Sequence, residues 1–137
     1  MSEMQDFNNQ IAAEFRANEG QVGGMFAGAT LLLLTTTGAK TGAARLNPLV
    51  YYGEGDRYVV FASAGGSPRH PDWYFNLTAH PEVTVEVGTE TFRARATELV
   101  GEDRDRIYAA QAARSPQFAE YQQNTTRRIP AIALERI

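Results

Sequence analysis

Leu31-Leu32-Leu33-Leu34-Thr35-Thr36-Thr37-Gly38-Ala39-Lys40-Thr41-Gly42, continuing through Arg45-Leu46-Asn47-Pro48-Leu49, carries the strongest structural signal in this chain. Four unbroken leucines followed by β-branched threonines describe a strand, Thr30 to Thr36, buried on both faces. Glycines at 38 and 42 then bound a short polar turn, and the apolar pattern resumes, so the segment reads as a β-hairpin. Pro48 cannot donate to a ladder, which places it at an edge or a bulge of the second strand, Leu46 to Tyr52. The turn also carries the chain's only lysine: of 13 basic residues, the other 12 are arginines. A compact ammonium between glycines suits a phosphate or carboxylate; the bland alternative is a lysine in a solvated turn.

Outward from the hairpin the same signals repeat. Tyr58 to Ala62 is a third strand after the turn Gly53-Glu54-Gly55-Asp56. Glu82 to Val87 alternates, with Val83, Val85 and Val87 inward. Thr91 to Leu99 follows with Phe92, Ala94 and Ala96 inward, and Ala131 to Arg136 is the last strand. Glu86, Arg93 and Arg95 fall on the outer face, where they suit exposed cross-strand pairs. Helices are expected at about 5–18, from Pro71-Asp72 to His80, at Glu102 to Arg114 and at Pro116 to Gln123. Trp73, Asn76, Leu77 and His80 share one face of the second. About six turn-bounded, antiparallel-like strands with peripheral helices predict a mainly β fold, a small β-barrel.

The 137 residues read as a single domain, 1–137, with an N-terminal helix within residues 1–20. Phe7, Ile11 and Phe15 stripe that helix; without a basic polar face it suits docking on the core better than lying on a membrane surface. The small-residue run Gly23 to Ala29 permits close backbone approach to a neighbour or a ligand. A net charge of -3 argues against general nucleic-acid binding. The absence of cysteine excludes disulfides, thiol catalysis and Cys-ligated metals. No targeting segment or apolar span is evident, so a cytoplasmic location is the default expectation.

Nucleotide motifs do not fit. Walker A chemistry needs Gly before Lys and a helix after it, whereas Ala39 precedes Lys40 and a strand follows. No G-x-G-x-x-G opens a helix, and no G-x-S-x-G marks a hydrolase elbow. His70 and His80 lack a third ligand at metal spacing, so no metal is expected, and both suit satisfying backbone groups near helix ends. The remaining candidates, Lys40, Thr41, Arg45, Asn47 and Ser63, form an anion-binding set, with 40 and 45 flanking one turn.

The hairpin run, together with Ala62-Ser63-Ala64-Gly65-Gly66-Ser67-Pro68, Pro71-Asp72-Trp73-Tyr74-Phe75-Asn76-Leu77, Tyr121-Gln122 and Arg128-Ile129-Pro130, resembles the deazaflavin-dependent nitroreductase family of flavin and deazaflavin oxidoreductases. The resemblance spans nearly all of the chain after Gly23. It implies a split β-barrel like that of FMN-binding split-barrel proteins, and use of coenzyme F420, a deazaflavin with a phospholactyl-oligoglutamate tail. It implies that Lys40 and Arg45 meet the phosphate and carboxylates of that tail with Thr41 and Asn47 nearby, that the ring runs along the strand holding Ala62 and Ser63, that Asp72, Trp73 and Asn76 adjoin the cofactor, and that Pro48 and Ala64 also belong to the cofactor-binding set. It further implies hydride transfer from reduced deazaflavin to a small electrophilic acceptor, a quinone, an activated alkene or a nitro compound. Ser63 would polarise the acceptor, and Tyr121 would donate a proton or stack. Relatives often carry a further lysine where this chain has Ala64. Such a nitroreductase has tyrosines at the positions of Ser115, Phe118 and Tyr121, of which only Tyr121 is present. Three other readings stay open: an FMN enzyme whose hairpin holds one phosphate, a non-catalytic deazaflavin- or quinone-binding protein, and an unrelated barrel interaction module. A homodimer and peripheral membrane contact are compatible with the sequence.

Overall fold

The computed structural model describes residues 3–20 and 30–137; the small-residue run Gly23 to Ala29 lies outside them. Six strands, β1 (Leu31–Thr37), β2 (Ala44–Glu54), β3 (Arg57–Phe61), β4 (Glu82–Val87), β5 (Glu90–Glu98) and β6 (Ala131–Arg136), close into an antiparallel barrel. Their order around the barrel is β1-β2-β3-β6-β5-β4. Among the described residues four α-helices surround it: α1 (Glu3–Ala17), α2 (Asp72–Ala79), α3 (Gly101–Arg114) and α4 (Gln117–Gln123). The expected mainly β barrel is therefore present, with element limits that differ from the sequence reading by two residues at most.

The leucine run explains how the layers are built. Successive strand side chains point to opposite faces. Leu32 and Leu34 enter the barrel interior with Val60, Val83, Val85, Ile132 and Leu134, and Trp73 and Leu77 of α2 join the same cluster. Leu31 and Leu33 face outward and are covered by Ala12 and Phe15 of α1. All four leucines are at most 4% exposed, so neither face of β1 meets water. A third cluster lies outside β3 and β6, where Ile107 and Tyr108 of α3 and Phe118 of α4 cover Val59, Phe61, Ala131 and Ala133. At about 1.5–3 kcal/mol per fully buried aliphatic side chain, these three clusters supply the main drive for folding.

Pro48 sits where its chemistry allows. It lies opposite Leu33 of β1, and β3 pairs only with Tyr51 to Glu54 of β2. Among the described residues, Ala44 to Val50 of β2 thus has one ladder partner, and a residue without an N–H costs no bond on its other side.

Two local expectations need correction. Glu86 does not pair with Arg93 or Arg95: Arg16 of α1 takes it bidentately, from Nε at 2.9 Å and Nη2 at 2.8 Å. The register explains why, since Arg93 faces Thr84 and Arg95 faces Glu82. Arg93 donates to the Thr84 hydroxyl instead, at 2.8 Å. His80 does not share the buried face of α2, because it caps the helix in a non-helical conformation.

Candidate functional site

The β1–β2 turn is held by its own backbone. Gly38 N–H donates to Ala43 O at 2.7 Å, and Gly42 N–H to Gly38 O at 2.9 Å. Gly42 adopts φ +72°, which a side chain would resist. Gly38 has no room for one, since a Cβ there would lie 2.7 Å from the Thr41 hydroxyl. Asn76 of α2 latches this turn to the barrel: its Oδ1 accepts from Ala39 N–H at 3.0 Å, and its Nδ2 donates to the buried Thr36 hydroxyl at 3.1 Å. One N–H of the Asn76 amide remains for another partner.

Beside the turn opens a cleft of about 940 Å³. Lys40 and Thr41 come from the turn, Arg45 and Asn47 from β2, Asp72, Trp73 and Asn76 from α2. Seven of the eleven residues expected to bind the cofactor thus meet in one cavity. Arg69, Phe75 and Asn8 join them. Lys40, Arg45 and Arg69 form no ion pair among the described residues, whereas Arg16, Arg57, Arg104, Arg106, Arg128 and Arg136 do. Three cations face the single carboxylate of Asp72 among the lining residues, so the cleft has a net positive field with no internal partner for it. An extended anion fits this donor set.

Pro48, Ala62, Ser63, Ala64 and Tyr121 do not line that cleft. Pro48 stands in β2 next to Asn47. Ala62 is fully buried in the barrel interior. Ser63 is half-buried and opens a 3-10 turn at Ala64–Gly66, in which Ala64 has φ +47°. Tyr121 of α4 adjoins that turn: a Cβ on Gly66 would sit 3.0 Å from Tyr121 O. The Tyr121 ring meets Phe118 edge-on at 5.3 Å. The same loop continues to Arg69 and Pro71, which reach the cleft.

Arg127 ties this loop together. Its guanidinium donates to the carbonyls of Ser67 at 2.8 Å, Ala62 at 3.0 Å and Ser63 at 2.7 Å. Its Nη1 also lies 3.1 Å from His70 Nδ1. Burial, then the adjacent Arg127 charge, lowers the His70 pKa from the ordinary imidazole value. Tyr74, whose hydroxyl donates to Glu98 at 2.5 Å, is pushed up to about 12, chiefly by burial and then by that carboxylate. The sequence reading missed Arg69, Asn8, Phe75 and Arg127. Only Arg69, at the end of the polar loop before α2, left a local trace.

Among the described residues no group of three His, Asp or Glu side chains is placed to hold a metal ion. No helix there is long and apolar enough to cross a membrane.

The closed six-stranded barrel with its plugging helix is a split β-barrel. Its shape is shared, at 18% identity and a TM-score of 0.59 over 95% of this chain and 90% of the other, with HutZ, a heme storage protein of Vibrio cholerae. The model of the F420H(2)-dependent quinone reductase family matches residues 8–136. An F420H(2)-dependent quinone reductase of Mycobacterium tuberculosis (strain ATCC 25618 / H37Rv) is 39% identical over 128 residues, 90% of this chain and 86% of the relative. The solved structure of an F420-H2 dependent reductase, FDR-A, is 42% identical with a TM-score of 0.72, over 77% of this chain and 94% of that one. A structure described as a domain-swapped dimer is 36% identical with a TM-score of 0.74, over 95% and 96% of the two chains. The chain belongs to the F420H(2)-dependent quinone reductase family, and it is an F420-dependent reductase.

Proposed function

We propose that this protein reduces a quinone with F420H(2), and that the cleft beside the Lys40 hairpin holds the anionic tail of the cofactor. The observation that carries the reading is the convergence of Lys40, Arg45 and Arg69 on one cavity, without ion-pair partners among the described residues. A single flavin phosphate needs fewer cations than this, whereas a phosphate followed by several carboxylates uses all three. Thr41 and Asn47 supply neutral donors along the same wall, and Asn76 lines it from α2.

When bound, reduced F420 supplies a hydride to the quinone, which takes up one further proton to become the quinol while the deazaflavin is oxidised. The chain's own part is orientation, exclusion of water and polarisation. Ser63, through its hydroxyl or the adjacent backbone amides, polarises the acceptor oxygen. Tyr121, beside the same turn, stacks on the acceptor or donates the proton. The placement of Tyr121 against Gly66 supports this pairing of roles. A homodimer, and contact of α1 with a membrane carrying an apolar quinone, belong to the same reading. Supporting them are the domain-swapped relative and a helix that bears both Asn8 in the cleft and Phe7, 37% exposed.

The test is titration of deazaflavin fluorescence with protein, using the tailed cofactor and a tail-free analogue. Quenching should saturate for both, and Lys40→Ala and Arg45→Ala should weaken only the tailed one, each by about tenfold for one exposed charge-assisted contact. Equal loss for both ligands would remove the tail assignment, and absence of binding at high micromolar protein would remove the reading itself.

A further inference from the structure

We propose that Arg127 is a positioning residue for the reduction, holding the 62–67 loop so that the Ser63 and Ala64 amides form a preset donor pair for the acceptor oxygen, with neutral His70 as its fourth anchor. This rests on the reading that places the acceptor at Ser63.

The geometry begins with three carbonyls and one guanidinium. Arg127 reaches Ala62 O, Ser63 O and Ser67 O within 3.0 Å. In a trans peptide the C=O and the next N–H point in opposite directions. Drawing the Ala62 and Ser63 carbonyls toward Arg127 therefore turns the Ser63 and Ala64 N–H groups away from it. Neither N–H has an acceptor among the described residues, while Gly66 and Ser67 N–H are already used inside the turn. Ser63 is right-handed, φ −78° and ψ −36°, and Ala64 is left-handed, φ +47°. Successive residues of these two hands bring neighbouring N–H groups onto one concave side, a geometry suited to an anionic oxygen. Left-handed alanine costs roughly 1–2 kcal/mol, so the surroundings must impose it. Arg127 is the group placed to do so.

His70 couples this clamp to pH. Arginine stays protonated and can only donate, so His70 Nδ1 accepts and Nε2 carries the hydrogen. Protonating His70 removes that acceptor and sets two cations side by side. The charged and titratable groups around the ring are Arg127, Glu98 of β5 and Tyr74 of α2, with Arg69 adjacent in the loop. Burial and Arg127 favour the neutral ring over the charge-stabilising Glu98. The clamp is therefore complete above the ordinary imidazole range and loosens as pH falls below it.

The experiment measures kcat for a soluble short-chain naphthoquinone with reduced F420, and cofactor Kd by fluorescence, in Arg127→Ala, Arg127→Lys and His70→Gln. Arg127→Ala should lower kcat by about ten- to a hundredfold, the scale of a disturbed oxyanion donor, with Kd changed less than about threefold. Added guanidinium chloride should restore part of that rate. Arg127→Lys should stay slow, because an ammonium cannot span three carbonyls. The unsubstituted protein should show an acid limb in kcat that His70→Gln removes. Should Arg127→Ala not fold, Arg127→Lys and the unsubstituted pH profile decide. Full kcat in either Arg127 variant, joint loss of kcat and Kd without guanidinium rescue, or a profile that stays flat from neutral pH down to the lowest pH at which the fold persists would overturn the proposal. Failure of the unsubstituted protein to oxidise reduced F420 at all would instead sink the functional reading beneath it.

Discussion

Asn76 allows the latch to be separated from the charge of the site. It is 9% exposed and Thr36 is 2% exposed. Replacing Asn76 by Ala removes the 3.0 Å bond from Ala39 N–H and the 3.1 Å bond to Thr36. Two hydrogen bonds at about 1 kcal/mol each, plus the cost of stranding a buried hydroxyl, give a loss of about 2–4 kcal/mol. For a domain of this size about 3–5 °C of thermal midpoint accompanies each kcal/mol, so the midpoint should fall by roughly 6–20 °C. The freed turn must then be reordered on binding, which should weaken cofactor affinity about tenfold. Asn76→Asp separates the two effects. The Thr36 hydroxyl can reverse and donate to the carboxylate, and Ala39 N–H keeps its acceptor, so the midpoint should stay within about 3 °C of the parent. The new negative charge among Lys40, Arg45 and Arg69 should still weaken the tailed cofactor at least about tenfold, less so at high salt. Differential scanning calorimetry and fluorescence titration read both quantities. An Asn76→Ala midpoint equal to the parent, or an Asn76→Asp midpoint as low as that of Asn76→Ala, would refute the latch.

Three further perturbations test other parts of the structure. Gly66→Ala forces a Cβ at φ +84° to within 3.1 Å of two Tyr121 backbone atoms; it should cost about 2 kcal/mol or more in urea unfolding. Arg104, 7% exposed, donates to Ile129 O at 3.0 and 2.8 Å and to Gln122 Oε1 at 2.7 Å. Arg104→Met keeps the stem but strands the Ile129 carbonyl, while Gln122 Oε1 retains the Ile129 N–H at 3.0 Å, so a loss of about 2–3 kcal/mol is expected from chemical denaturation. Glu54 is held down to about 2 by Arg106 and then Arg57. Its folded carboxylate is more acidic than the unfolded one, so its contribution is complete above the ordinary value of 4.5 and is lost as pH falls from there toward about 2. Glu54→Gln should flatten the acid side of a thermal-midpoint profile over that window, by less as salt is raised.

What could be read from sequence depended on how local the determinant was. Leu31 to Leu34 announce burial on both faces within four residues, and both faces are covered, by the barrel interior and by α1. Alternation in Glu82 to Val87 and the turn glycines place β4 and the hairpins with equal economy. Lys40, Arg45 and Asn47 are neighbours through a turn, so their meeting in one cleft follows from the hairpin alone. Arg127 offers no such clue: its three carbonyl partners lie 60 to 65 residues away and are backbone atoms, to which side-chain identity is silent. Arg69 enters the cleft only because α2 packs under the hairpin, a tertiary fact. Charge alone does not select the partner of Glu86: sheet register and the docking of α1 choose Arg16 over Arg93 and Arg95.

The strand order also governs when the protein can begin to exist. β6, Ala131–Arg136, is the last strand along the chain, yet it stands between β3 and β5. On a ribosome the earlier strands must wait with β3 and β5 unjoined, apolar faces unsealed, until residue 136 has cleared the exit tunnel. A nascent chain arrested before that point is an open sheet with β3 and β5 unpaired on the sides that β6 will join, and so a client for chaperones.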